Sequence, residues 1–70
     1  MKIEKNAYAS YVYGFNDKAF TFTFTYLSEM MFVFLNEHKL KLHSYEIKVD
    51  RTDVNDVFRM VLIFEAYEDK

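Results

Sequence analysis

The pattern of apolar and polar positions changes character four times along the chain. Ala7–Phe15 (AYASYVYGF) is rich in Tyr and Val and predicts a strand. Asn16 and Asp17 follow, two residues suited to a tight turn. Ala19–Tyr26 (AFTFTFTY) then alternates strictly. Phe20, Phe22, Phe24 and Tyr26 point one way and Ala19, Thr21, Thr23 and Thr25 the other, as in a half-buried strand. A two-residue loop at Asn16-Asp17 sets Tyr13 opposite Phe20 and Tyr11 opposite Phe22, which gives an aromatic ladder on one face. A longer loop would mix the faces.

Ser28 reads as an N-cap, with Glu29 in the first turn of the helix it opens. The residues after it contain no breaker and end in His38, Lys39 and Lys41, the charge sign a helix C-terminus prefers. Leu27, Met30, Met31, Phe34 and Leu35 share a face, whereas Phe32 and Val33 fall outside it. Lys41–Asp50 predicts a third strand, with Tyr45, Ile47 and Val49 in one row. Val57–Tyr67 predicts a fourth. Its apolar residues occupy both faces, which marks a central strand. Setting Ile47 opposite Met60 and Tyr45 opposite Leu62 gives a consistent second hairpin.

The expected fold is α+β, with element order β-β-α-β-β. It is a four-stranded, mainly antiparallel sheet with one helix packed on one face, in a single domain spanning residues 1–70. The helix would cover Tyr11, Tyr13, Phe20, Phe22 and Phe24 together with Tyr45, Ile47, Phe58, Met60, Leu62 and Phe64. Tyr8, Val12, Val61, Ile63 and Tyr67 would lie on the uncovered face, and Phe32 and Val33 on the outer side of the helix. These seven form the expected partner interface, since exposed apolar patches mark interaction sites. Phe20–Tyr26 is the expected free sheet edge.

Composition sharpens this picture. A chain of 70 residues buries little surface, and small domains often compensate with disulfides, a metal or a partner subunit. There is no cysteine, which excludes disulfides and thiolate zinc. Aromatics make up 20%, proline is absent and Gly14 is the sole glycine, so a dense aromatic core and self-association remain. The net charge of -2 argues against a protein held to nucleic acid by phosphate contacts. No apolar run is long enough to span a membrane or to form a signal peptide, so the expected location is the cytoplasm, without membrane partners.

Candidate chemistry is sparse. His38 and His43 lack further ligands at metal-binding spacing, and one glycine cannot build a phosphate loop. Ser10, Ser28 and Ser44 sit in no nucleophile context. No catalytic residue, cofactor or metal is expected. Asp50, Asp53 and Asp56 recur around the last connection without the glycine and glutamate of a calcium loop. Joined to Glu65, Glu68 and Asp69 they would form an acidic patch steering the protein to a basic surface.

The reading that results is a small non-enzymatic protein–protein interaction module, homodimeric, of the inhibitor or adaptor type that phages and mobile elements carry. The alternative is a small nucleic-acid-binding regulator whose aromatic sheet surface stacks bases, with Lys48 and Arg59 nearby. A third is an accessory subunit whose chemistry lies on its partner.

Overall fold

The computed structural model describes residues 2–68. The elements are β1 (Ile3–Tyr13), α1 (Asp17–Glu37), β2 (Leu40–Arg51) and β3 (Val57–Glu68). The fold is α+β, with order β-α-β-β among the described residues. The three strands form one antiparallel sheet in the order β1-β3-β2, and α1 packs on one face.

The expected first hairpin does not form. Its second strand, Ala19–Tyr26, is the first half of a 21-residue helix. Asn16 and Asp17 do not make a hairpin turn. Asn16 is the N-cap, with its side-chain oxygen accepting the Ala19 N–H at 2.8 Å, and Asp17 places a carboxylate in the first turn. Ser28, the expected cap, is mid-helix. Packing decides against the strand. On a helix, Phe20 and Phe24 lie within about 40° of each other and join Leu27, Met31 and Leu35, while Phe22 is thrown about 200° round. Leu27, Met31 and Leu35 are buried and Phe20 and Phe24 pack against them, whereas Phe22 is 77% exposed. Thr and Phe are weak helix formers, by only a few tenths of a kcal/mol each, and burial of this stripe outweighs that.

β1 instead pairs with β3, across most of the chain, with Tyr8 opposite Leu62 and Val12 opposite Phe58. β3 is central, as its two apolar faces require. The second hairpin forms in a register displaced by two residues from the expected one. Ile47 sits opposite Leu62 and Tyr45 opposite Phe64, with a bulge between Leu42 and Ser44. A two-residue displacement keeps every side chain on its face, so apolar patterning cannot detect it.

The core lies between α1 and β3. Met60, Leu62, Phe64 and Ala66 are wholly buried, with Val12, Leu27, Met31 and Leu35 around them. Tyr8 stacks on Phe64 at 6.0 Å between ring centres, and Phe34 meets Phe64 edge-on at 5.7 Å. At the other end Phe15 closes over Phe20 and Phe58, at 5.9 and 5.1 Å. Gly14, at φ +66°, turns the chain out of β1 and donates its N–H to the Asp56 carbonyl at 2.7 Å. The β2–β3 connection is held by Thr52. Its hydroxyl donates to the Val57 carbonyl at 2.8 Å and accepts the Val54 N–H at 3.1 Å.

The long strands draw the molecule out to 46 × 19 × 15 Å. Its radius of gyration, 13.6 Å, exceeds the roughly 11 Å of a compact chain of this length. Its surface of 5422 Å² likewise exceeds the ~4700 Å² typical of a monomer of this mass.

Candidate interaction surfaces

The face of the sheet opposite α1 has no covering element among the described residues. Strand alternation and register place the side chains on it. β3 contributes Val61 and Ile63 at its middle, and β1 sets Ala9 and Ala7 opposite them. Tyr11 and Tyr13 lie toward one end, 59% and 76% exposed, with Tyr67 toward the other. Charges line the β2 side: Glu46, Lys48 and Asp50 sit opposite Ile63, Val61 and Arg59. Asp50 reaches Arg59 at 3.9 Å, and Lys5 sits opposite Glu65. The result is an apolar strip framed by tyrosines and by charges of both signs.

The expected interface residues therefore separate. Val61, Ile63 and Tyr67 lie on this open face. Tyr8 and Val12 do not. They point toward α1, where Val12 is buried and Tyr8 is half-buried against Phe64. Their assignment to the open face rested on pairing β1 with the Phe/Thr segment. Once β1 pairs with β3, Tyr11 and Tyr13, expected in the core, take the open face instead. Phe32 and Val33 are exposed on α1, as expected from its apolar stripe, at 57% and 56%.

A second surface runs along the outer side of α1. Both outer strands of the sheet are edges, and the expected edge, Phe20–Tyr26, is not one of them. Between the β1 edge and α1 lie two open grooves, of about 950 and 350 Å³, which meet at Tyr26. Lys18 and Phe22 line the first; Glu29, Val33 and Glu37 line the second. Val33 was expected in the interface and Phe22 only as part of a free strand edge; Lys18, Glu29 and Glu37 were in neither set, because the spacing of these residues carries meaning only once Ala19–Tyr26 is helical.

Among the described residues, the acidic residues expected to form a patch do not gather into one. Asp50 and Glu65 both project from the open face, but Arg59, beside Asp50, is six positions from Glu65 along β3, or roughly 20 Å. Asp53 shares its groove with Arg51 and Arg59, so that end is neutralised locally. Glu65 accepts a hydrogen bond from the Ser44 hydroxyl at 2.9 Å. Asp56 lies in the β2–β3 turn at φ 60°, Glu68 closes β3, and Asp69 lies outside the described residues.

The histidines have structural surroundings. His38 caps the C-terminus of α1 with its ring 4.4 Å from that of Phe34, and His43 meets Tyr67 edge-on at 6.3 Å. Among the described residues no group of three or more His, Asp or Glu is placed to hold a metal ion. No helix among them is long and apolar enough to cross a membrane. Comparison with protein-family models, curated proteins and solved structures finds no match to the chain.

Proposed function

We propose that this protein is a small non-enzymatic module that works by protein–protein contact, as an inhibitor or adaptor of a larger protein. The observation that carries this reading is the uncovered sheet face, where Ala7, Ala9, Val61 and Ile63 form an apolar strip between Tyr11, Tyr13 and Tyr67. A dry centre with a polar, tyrosine-rich rim is the composition of a protein interface. The partner surface it fits is apolar at its middle, with charges of both signs around it. The same face supports base stacking less well. Arg59 lies beside Asp50, Lys5 opposite Glu65, Lys48 between Glu46 and Asp50 on β2, and Lys41 apart from them opposite Tyr67, so the cations of this face form no continuous basic track among the described residues.

The test compares wild type with Val61→Asp and Tyr11→Asp as immobilised baits in host lysate, after circular dichroism has shown that each variant folds. A protein retained by wild type and lost from both variants is the expected result. Equal retention by all three removes the open face from function. Salt-sensitive retention of nucleic acid by wild type, lost in the variants, replaces this reading with the nucleic-acid one.

A further inference from the structure

The β1 edge and the flank of α1 beside it form one continuous surface, and its chemistry is self-complementary. Ten residues of α1 line the grooves along β1, and six of them are exposed: Lys18, Phe22, Tyr26, Glu29, Val33 and Glu37. Their spacings are 4, 4, 3, 4 and 4, which reads the same from either end. That is the spacing of one stripe on a helix packed against another. Run antiparallel to a copy of itself about its own midpoint, the stripe sets Lys18 against Glu37, Phe22 against Val33 and Tyr26 against Glu29. Every juxtaposition is favourable: a cation with an anion, an aromatic ring with an aliphatic side chain, and a phenol donor with a carboxylate acceptor.

The strand beneath has the same property. β1 is an edge of 11 residues, and its pairing with β3 runs without a bulge. From Asn6 to Tyr13 it carries no charge and no proline, the usual devices that blunt an edge. The opposite edge, β2, has both a bulge at Leu42/Ser44 and charges spread along its length, at Lys41, Glu46, Lys48 and Asp50. The two groove linings meet at Tyr26, which puts the middle of the α1 stripe alongside β1 between Tyr8 and Ser10. Antiparallel pairing of two β1 strands about Ala9 therefore shares one twofold axis with the helix stripe. The axis stands perpendicular to the sheet, so both helices lie on the same side.

Distances and areas agree with this arrangement. α1 leans toward β1 more than toward β2. With strands ~4.8 Å apart, joining two β1 edges sets the two helix axes roughly 10–12 Å apart, a gap that Phe and Tyr side chains fill. Phe22 and Tyr26, 77% and 52% exposed, leave roughly 250 Å² uncovered at ~200 Å² per aromatic residue. Val33, the stems of three charged residues and a full strand edge bring the surface toward the ~800 Å² per partner of a standard interface.

We infer that a second copy of this chain occupies this surface, giving a twofold dimer with a continuous six-stranded sheet and two antiparallel helices on one side. The dimer sets two open faces side by side. It rests on the interaction-module reading only in that the open face stays free for another protein.

The test is sedimentation velocity over a concentration series with five variants. Wild type is expected to be dimeric at ~100 μM. Phe22→Glu brings a carboxylate against Val33 and next to Glu37 of the other copy, and yields monomer. Lys18→Glu and Glu37→Lys each weaken association by about tenfold, because each creates two like-charge contacts. The double reversal, Lys18→Glu with Glu37→Lys, restores it. Lys18 and Glu37 are ~28 Å apart along one helix, so rescue can arise only between copies. Phe32→Glu, on another side of α1, leaves the dimer intact. A wild-type monomer at ~100 μM overturns the inference. So does a dimer that Phe22→Glu leaves unchanged, or one that the double reversal fails to restore. Capture of a partner through Val61 and Tyr11 by a chain that stays monomeric refutes the dimer alone. A charge-rescued dimer whose open face captures nothing refutes the module reading alone.

Discussion

Leu27 is the side chain on which the helical phase of α1 turns. It is wholly buried, midway along the helix and within the core formed with Met60, Leu62 and Phe64. Leu27→Ala removes three carbons, worth about 2.4 kcal/mol in transfer free energy at ~0.8 kcal/mol each. The cavity left behind adds to this, because a helix clamped at both ends over a sheet cannot settle fully into the gap; the expected loss is ~3–4 kcal/mol. A chain of this size has a total stability of roughly 3.5–10 kcal/mol, so the variant loses between about a third and all of it. The comparison is Phe32→Ala. Phe32 is larger and just as apolar, but it is 57% exposed on another side of the helix, so its loss stays below ~1 kcal/mol. Urea unfolding followed by circular dichroism measures both, at one fixed protein concentration because self-association links stability to concentration. With a urea slope near ~1 kcal/mol per molar, the Leu27→Ala midpoint falls by about 3 M and the Phe32→Ala midpoint by less than about 1 M. Equal losses, or a loss below ~1 kcal/mol for Leu27→Ala, would refute the phase assigned to α1 and the core built on it.

Three further outcomes follow from local geometry. Asn16→Ala removes the acceptor for the Ala19 N–H and lowers stability by ~1 kcal/mol, read as a fall in thermal midpoint. Lys39 holds φ 54° just past the C-cap, where glycine is free of strain; Lys39→Gly raises stability by roughly 0.5–1 kcal/mol in the same assay, and a loss would show that the lysine is favoured there. The Asp50–Arg59 pair spans 3.9 Å between side chains more than half exposed, so Asp50→Asn shifts the urea midpoint by less than ~0.5 M, and its small effect shrinks further in high salt.

Legibility differed among the elements for physical reasons. β3 was plain, because a strand buried on one face and half-buried on the other must be apolar on both. The face of β2 that meets α1 was equally plain, with Tyr45, Ile47 and Val49 set toward the helix as their alternation requires. The C-terminal half of α1 was visible from its periodicity, and with it the exposure of Phe32 and Val33. The Phe/Thr segment misled because alternation with weak helix formers is the local signature of a strand. Nothing local records that Phe20 and Phe24 serve the core while Phe22 serves the outer flank. The groove stripe from Lys18 to Glu37 was hidden for the same reason, since Phe22 and Tyr26 lie in that segment and Lys18 lies just before it.

The amino-acid sequence by itself determined the class of this protein: helix on sheet, an aromatic core without staples, a central apolar β3, and more apolar surface than one such layer pair can bury. These are properties of composition and short-range period, which a chain carries whether folded or not. Tertiary structure alone decided the pairing of β1 with β3, the two-residue displacement of the β2–β3 register, and the conversion of an alternating segment into the first half of a helix. Each of these depends on contacts between residues far apart in the chain. At such contacts several arrangements keep the apolar faces together locally, and only the closure of one shared core separates them.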